Sequence, residues 1–243
     1  MNDPEEYQLQ FDVAFDGAYR YLDRCGEFMA AARQKFGFVP ISVNPMGCNM
    51  EAPDMALQLQ ASGDALLLIC TNLKFSSDLF RAADFCLRVS ADLFDPFSIE
   101  HCRLVSRSIW RTATMEQSFV DSLKIFPAAV EDVGDLLQLP PLNQDLSFAY
   151  ESGSRRLHLR LYPIAFNVTP IERKLPILGT PKGLREYLLK KEVSIRQNPA
   201  QPAYGFGLEL TLVEIDPVLE EVVESLRSGL VDYRKKILNK LKQ

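Results

Sequence analysis

Polar and apolar residues alternate from Tyr7 to Phe15: Leu9, Phe11, Val13 and Phe15 oppose Gln8, Gln10, Asp12 and Ala14. That is the period of a half-buried strand. From Ala18 to Phe36 the spacing changes to a helical stripe of Tyr21, Leu22, Cys25, Phe28, Met29 and Ala32. Gly37, which tolerates a left-handed backbone, predicts the end of that helix. Phe38 to Met50 is expected to be extended and broken by Pro40 and Pro45. Met55 to Ala61 and Ala65 to Leu73 flank Ser62-Gly63-Asp64, a hairpin signal. Ser77 or Asp78 then caps a helix through Leu79, Ala82, Ala83, Cys86, Leu87, Val89 and Leu93, stopped by Pro96. Alternation returns from Ile99 to Thr112.

In the second half, residues 115–143 are expected to be a connector with helical pieces, punctuated by Pro127, Gly134, Pro140 and Pro141. Leu146 to Tyr150 and Arg156 to Phe166 flank Glu151-Ser152-Gly153-Ser154, a second hairpin. A long loop over Val168 to Gly183 and a short helix over Leu184 to Val193 follow, then a strand over Tyr204 to Ile215. Asp216-Pro217 has the chemistry of an N-cap and first helical position for a terminal helix. Hairpins segregated from helices predict an α+β layered fold of mainly antiparallel sheet with helices on one face. The expected topology is two ferredoxin-like halves, 1–114 and 144–243, joined by 115–143.

Composition narrows the class. The chain has 243 residues, 47% of them hydrophobic and 24% charged, the proportions of an ordinary globular protein. Its longest apolar run, Ala65 to Cys70, falls far short of the ~20 residues that a membrane helix needs. Met1-Asn2-Asp3-Pro4-Glu5-Glu6 is acidic where a leader peptide would be basic and then apolar. Five cysteines without a C-x-x-C pair point to reduced, buried thiols in a cytoplasmic protein. The net charge of −5 is uneven: residues 1–100 carry 7 bases and 15 acids, the remainder 20 and 17. An acidic total argues against a dedicated nucleic-acid binder, which gains affinity from clustered positive charge.

Candidate chemistry is sparse, and no catalytic residue is assigned. His101 and Cys102 are adjacent on a predicted strand, so their side chains point to opposite faces and make a poor nucleophile–base pair. Two distant histidines and scattered cysteines do not make a zinc site. Met46, Cys48 and Met50 would share one strand face if the alternation held, as a soft-metal site could use; gap-filling sulfur packing is the stronger reading. No metal and no cofactor are expected. Gly205-Phe206-Gly207 is too short for a phosphate-binding fingerprint and leads into a strand. It resembles the late glycine-rich segment of the repeat-RNA endonucleases of CRISPR systems, which implies RNA binding or processing by paired ferredoxin-like domains as the alternative function.

The polar constellation that stands out is a row of arginines. Arg103, Arg107 and Arg111 are four apart, hence on one strand face, while His158 and Arg160 share the polar side of a hairpin strand with Arg156 and Tyr162. If the strands are neighbours, these cations line one surface for an anionic partner, an acidic protein segment or a nucleotide. The competing reading is a solvated face offset by carboxylates of the acidic first half. The terminal helix adds a stripe of Leu219, Val223, Leu226, Leu230, Tyr233 and Ile237, fit either for the chain's own sheet or for a homodimer seam.

Arg103-Leu104-Val105-Ser106-Arg107-Ser108-Ile109 resembles the central strand motif of a family of sporadically distributed, uncharacterised bacterial proteins of about 250 residues. Val105 and Ser108 stand where that motif has glycine and tyrosine. The strand Leu208 to Ile215 and the basic-tailed terminal helix follow the same order of elements. The resemblance implies a cytoplasmic accessory protein of no assigned activity, with a protein partner, and a patchy distribution of the kind associated with defence.

Overall fold

The computed structural model describes residues 3–113, 146–166 and 203–241. The chain divides into two compact units, and the described residues of the first are 3–110, 146–162 and 207–241. That unit carries the architecture below, except residues 111–112, 163–166 and 203–206 at strand ends, which belong to the second.

Nine strands form one sheet in the order β2-β3-β4-β5-β1-β6-β9-β8-β7. They are β1 (Glu5–Asp16), β2 (Val39–Asn44), β3 (Gly47–Ala52), β4 (Leu57–Ala61), β5 (Ala65–Cys70), β6 (Ser98–Thr112), β7 (Leu146–Ser152), β8 (Arg155–Phe166) and β9 (Ala203–Ile215). The helices are α1 (Tyr21–Phe36) and α2 (Ser76–Phe94), with α3 (Val222–Leu241) at the end. The sheet is antiparallel from β2 to β6 and between β7 and β8. The same sense continues onto β9, where Arg107 meets Glu209 and Glu100 meets Asp216. The α+β class read from the sequence is therefore observed.

Register explains where the core lies. Cys48, Ala61, Leu66, Val13 and Cys102 are aligned across five strands; so are Met50, Leu59, Leu68, Phe11 and Leu104. Every one of these side chains is buried. A side-chain period of two puts each row on a single face, and the helices cover that face. α1 turns Tyr21, Cys25, Phe28, Ala32 and Phe36 inward, and α2 turns Leu79, Ala82, Ala83, Cys86, Leu87 and Phe94 inward. Phe94 packs against both Tyr21 and Phe28, at centroid distances of 5.1 and 5.2 Å. Tyr21 donates its hydroxyl to the Ala61 carbonyl at 3.0 Å, tying α1 to β4.

Ser77 and Asp78 do not cap α2: it begins at Ser76, directly after a 3-10 turn at Leu73–Phe75, so both lie in its first turn. Elsewhere local chemistry ends the elements as the sequence leads one to expect, with two exceptions. Gly37 adopts φ 70° and its N–H bonds the Arg33 carbonyl, closing α1. The Ser62 hydroxyl accepts from the amides of Asp64 and Ala65 and closes the β4–β5 turn. The first exception is Phe38 to Met50, which is not merely a broken extended run. The Asn44 carboxamide oxygen accepts from the amides of Met46 and Gly47, folding Pro45-Met46 into a turn between paired strands. The second is Asp216, which does not cap the terminal helix. It sits at φ 48° with its amide on the Glu100 carbonyl, and α3 begins at Val222 after turns at 219–221. The readings for 115–143, 168–183 and 184–193 lie outside the described residues.

α3 buries half of its stripe inside the unit, together with Val222. Val222, Val223, Leu226 and Leu230 are buried, and Leu226 is fully so. Gly229 allows the approach: a Cβ there would meet Leu212 Cδ2 on β9 at 2.8 Å. Tyr233 and Ile237 are only half-buried, and Leu219 precedes the helix altogether.

Replacing Leu226 with Ala should lower stability by about 2–5 kcal/mol, the cost of a cavity at a fully buried leucine. Leu226→Asp should abolish the folded baseline, because an unpaired charge would be buried. Urea unfolding followed by far-UV circular dichroism measures both.

Candidate binding face

The described helices of the unit lie on one side of its sheet, and the opposite side carries the residues of the other parity. Along β1 these are Gln8, Gln10 and Asp12, and along β6 they are Arg103, Val105 and Arg107, aligned across the pair. β9 adds Glu209, the ion-pair partner of Arg107. β8 adds Arg156, His158, Arg160 and Tyr162, the parity opposite to Leu157, Leu159 and Leu161.

The two central arginines have partners within the sheet. The Arg103 Nε–H donates to both Asp12 carboxylate oxygens, at 2.8 and 3.0 Å. The Arg107 Nε–H donates to Glu209 Oε2 at 2.6 Å, and its Nη1 reaches the Gln8 and Gln10 side-chain oxygens at 3.3 and 3.0 Å. Gln10 Nε2 in turn donates to Asp12 Oδ2 at 3.1 Å. Arg103, Asp12, Gln10, Arg107 and Glu209 thus form one continuous network. The Arg107 and Glu209 side chains are 24% and 19% exposed, so solvent screens this pair less than a surface pair.

Beside the network the Tyr7 hydroxyl donates to that of Tyr162. Burial pushes both phenols above their ordinary value; Arg107 pulls them down and Glu209 pushes them up. The Arg160 guanidinium stacks over the Tyr162 ring at 4.6 Å. Arg160 and His158 are exposed, as is Arg156, which pairs with Glu151 at 2.9 Å. Among the expected binding residues, Arg103, Arg107, His158 and Arg160 therefore share one face, and Arg111 is an exposed residue of the second unit. The residues missed from the sequence are the counter-groups Asp12, Gln10, Glu209 and Tyr7. Asp12 is a carboxylate in the polar phase of β1, which signals an ion pair but does not name its partner.

The covered side holds a second polar group unseen in the sequence. Arg234 turns inward from α3 to Glu6 Oε1 at 3.3 Å and Ser108 Oγ at 3.2 Å. Ser106 donates to the same Glu6 carboxylate. This accounts for two serines on an otherwise apolar side of β6. Its Nε is buried with no hydrogen-bond partner among the described residues.

The sulfur groups form no site. Met46 lies in the β2–β3 turn, 80% exposed, whereas Cys48 and Met50 are buried, so the three do not share a face. Among the described residues no cluster of three or more His, Cys, Asp or Glu side chains is arranged to hold a metal. All five cysteines are buried free thiols. Burial pushes the Cys48 and Cys102 thiols up to about 12, and raises those of Cys70 and Cys86. His101 is half-exposed and adjacent to the buried Cys102, on the other parity of the strand. No described helix is long and apolar enough to cross a membrane.

In comparisons with known proteins, no family model matches the chain and no curated protein is similar to it. The site thus stands on its own geometry: an α+β sheet with one helix-covered face and one face built around paired arginines.

Glu209→Gln should cost about 1–3 kcal/mol by leaving Arg107 under-neutralised. Arg107→Gln combined with it should cost less than the sum of the single changes, as urea unfolding in a double-mutant cycle would show. The thiols should resist a disulfide reagent at pH 8 in the native state and all react once unfolded. The raised folded values of Cys48 and Cys102 favour the fold fully below the unfolded value near 9, a contribution lost as pH rises toward about 12.

Proposed function

We propose that the chain is a non-enzymatic binding protein whose arginine-bearing sheet face receives an acidic protein segment. The supporting observation is the layout of that face. Arg160 and His158 stand exposed on β8, beside the network in which Asp12 and Glu209 hold Arg103 and Arg107 in place. The paired groups hold the centre, and the exposed Arg160 guanidinium supplies the attraction, with His158 beside it as a hydrogen-bonding group. Charge-assisted hydrogen bonds to carboxylates are strong enough for such a role once the partner excludes water.

Two finer structural readings go with this proposal. Residues 5–112 form a ferredoxin-like unit, a reading supported by the run β1-α1-β4-β5-α2-β6 with strand order β4-β5-β1-β6. β2 and β3 then extend that sheet as an inserted hairpin. Kinship with the sporadically distributed bacterial proteins rests on the Arg103–Ile109 motif; in this chain its two arginines are the centre of the face. The runner-up function, RNA binding or processing, draws on Arg160 stacked over Tyr162, an arrangement that can also hold an unstacked base.

Fluorescence anisotropy with a labelled oligo-glutamate peptide tests the proposal. Binding should weaken about tenfold or more with His158→Glu combined with Arg160→Glu, a loss of at least ~1.4 kcal/mol. It should also weaken with added salt. Binding unmoved by either change would refute the face. Tighter binding of a labelled single-stranded RNA, lost with Tyr162→Ala, would install the runner-up instead.

A further inference from the structure

We infer that β7 is a homodimer seam: a second copy of this chain adds its own β7, antiparallel and centred on Ala149, so that the two sheets become one. The inference goes beyond the proposed function and does not rest on it.

The two edges of the sheet differ. β2 carries Pro40 and a register irregularity between Pro40 and Ser42, features that discourage another strand from pairing. β7 is Leu146-Ser147-Phe148-Ala149-Tyr150-Glu151-Ser152. It has no proline, lysine or arginine, and it pairs with β8 from end to end without a register shift. Such an edge offers a template for strand addition.

The hairpin decides which groups the edge presents. Gly153 at φ 61° and Ser154 form a two-residue loop closing on the Ser152–Arg155 pair. Hydrogen-bonded pairs with β8 therefore fall at Ser152, Tyr150, Phe148 and Leu146, and the outward amides and carbonyls belong to Ser147, Ala149 and Glu151.

A two-fold axis through Ala149 pairs Ala149 with the partner's Ala149 and Ser147 with the partner's Glu151. These are the outward-facing residues, so about six backbone hydrogen bonds form at once. The same register sets Phe148 opposite the partner's Tyr150, twice, at the closer non-hydrogen-bonded spacing. Tyr150 is 56% exposed and Phe148 37%; Tyr150 lines a groove with Leu157, Leu159, Tyr233 and Ile237, and Phe148 is aligned with Leu159. Charge agrees as well. The partner's Glu151 arrives beside Ser147, whose other neighbour is Arg160, so a carboxylate faces a guanidinium across one small side chain. A strand that complements itself in backbone, aromatic and charge pattern selects its own copy.

Light scattering on the full-length chain at high micromolar concentration should give twice the 27.5 kDa chain mass. Ala149→Pro removes only an outward-facing N–H, a place where edge strands accept proline; it should give a monomer with wild-type circular dichroism. Under mild oxidation Ala149→Cys should cross-link into a covalent dimer. Ser147→Cys should not, because its mate lies about 13 Å away along the strand. A monomeric wild type, a dimer that survives Ala149→Pro, or equal cross-linking by the two cysteine variants would each overturn the seam.

Discussion

The whole unit depends on one constraint: the side of the sheet under the described helices is continuously apolar, and it has to be kept from water. The rows Cys48–Ala61–Leu66–Val13–Cys102 and Met50–Leu59–Leu68–Phe11–Leu104 cross five strands without a polar interruption. Burying a side chain of this kind contributes about 1.5–3 kcal/mol, and no other term in the unit adds up so consistently. Each helix answers to that side. α1 and α2 meet over it through Phe28 and Phe94, and α3 settles on β9 where Gly229 removes a side chain from the path of Leu212. The opposite side takes the residues of the other parity, among them the buried Val105 and Ile109 between and beyond the paired arginines.

A polar side is not automatically a cationic one. Arginines at the centre of a wide sheet lose water on both flanks, and their charge has to be met nearby. Asp12 and Glu209 do this from the strands on either side of β6, and Gln10 bridges the two pairs. The outcome is an ordered strip of donors and acceptors instead of a loose positive patch. On β8, Arg160 and His158 of the same parity stand exposed. Arg234 obeys the same rule on the apolar side: it enters the core only with Glu6, Ser106 and Ser108 arranged around it.

The sheet's ends show what the centre leaves open. A sheet that closes into no barrel must finish in two edges, and β2 and β7 finish differently. Proline and an irregular register blunt one. Two half-exposed aromatic residues and a row of outward backbone groups mark the other.

Much of the local structure is legible from the residues alone. Strict alternation identifies β1, β6, β8 and β9, a helical stripe identifies α1, α2 and α3, and Gly37, Pro96 and the Ser62 turn set their limits, because each of these signals acts over a few residues. The β2–β3 turn escaped because a single Asn44 side chain makes it, in a run where prolines masked the alternation. The candidate face was half legible. Parity put Arg103 with Arg107 and His158 with Arg160, since the side-chain period of a strand is a local property. Their partners were not legible: Asp12 lies 91 residues from Arg103, and Glu209 lies 102 from Arg107. No periodicity carries that far. Only the strand order, set by which apolar faces could be covered together, brings β1 and β9 to either side of β6 and turns a row of arginines into a row of ion pairs.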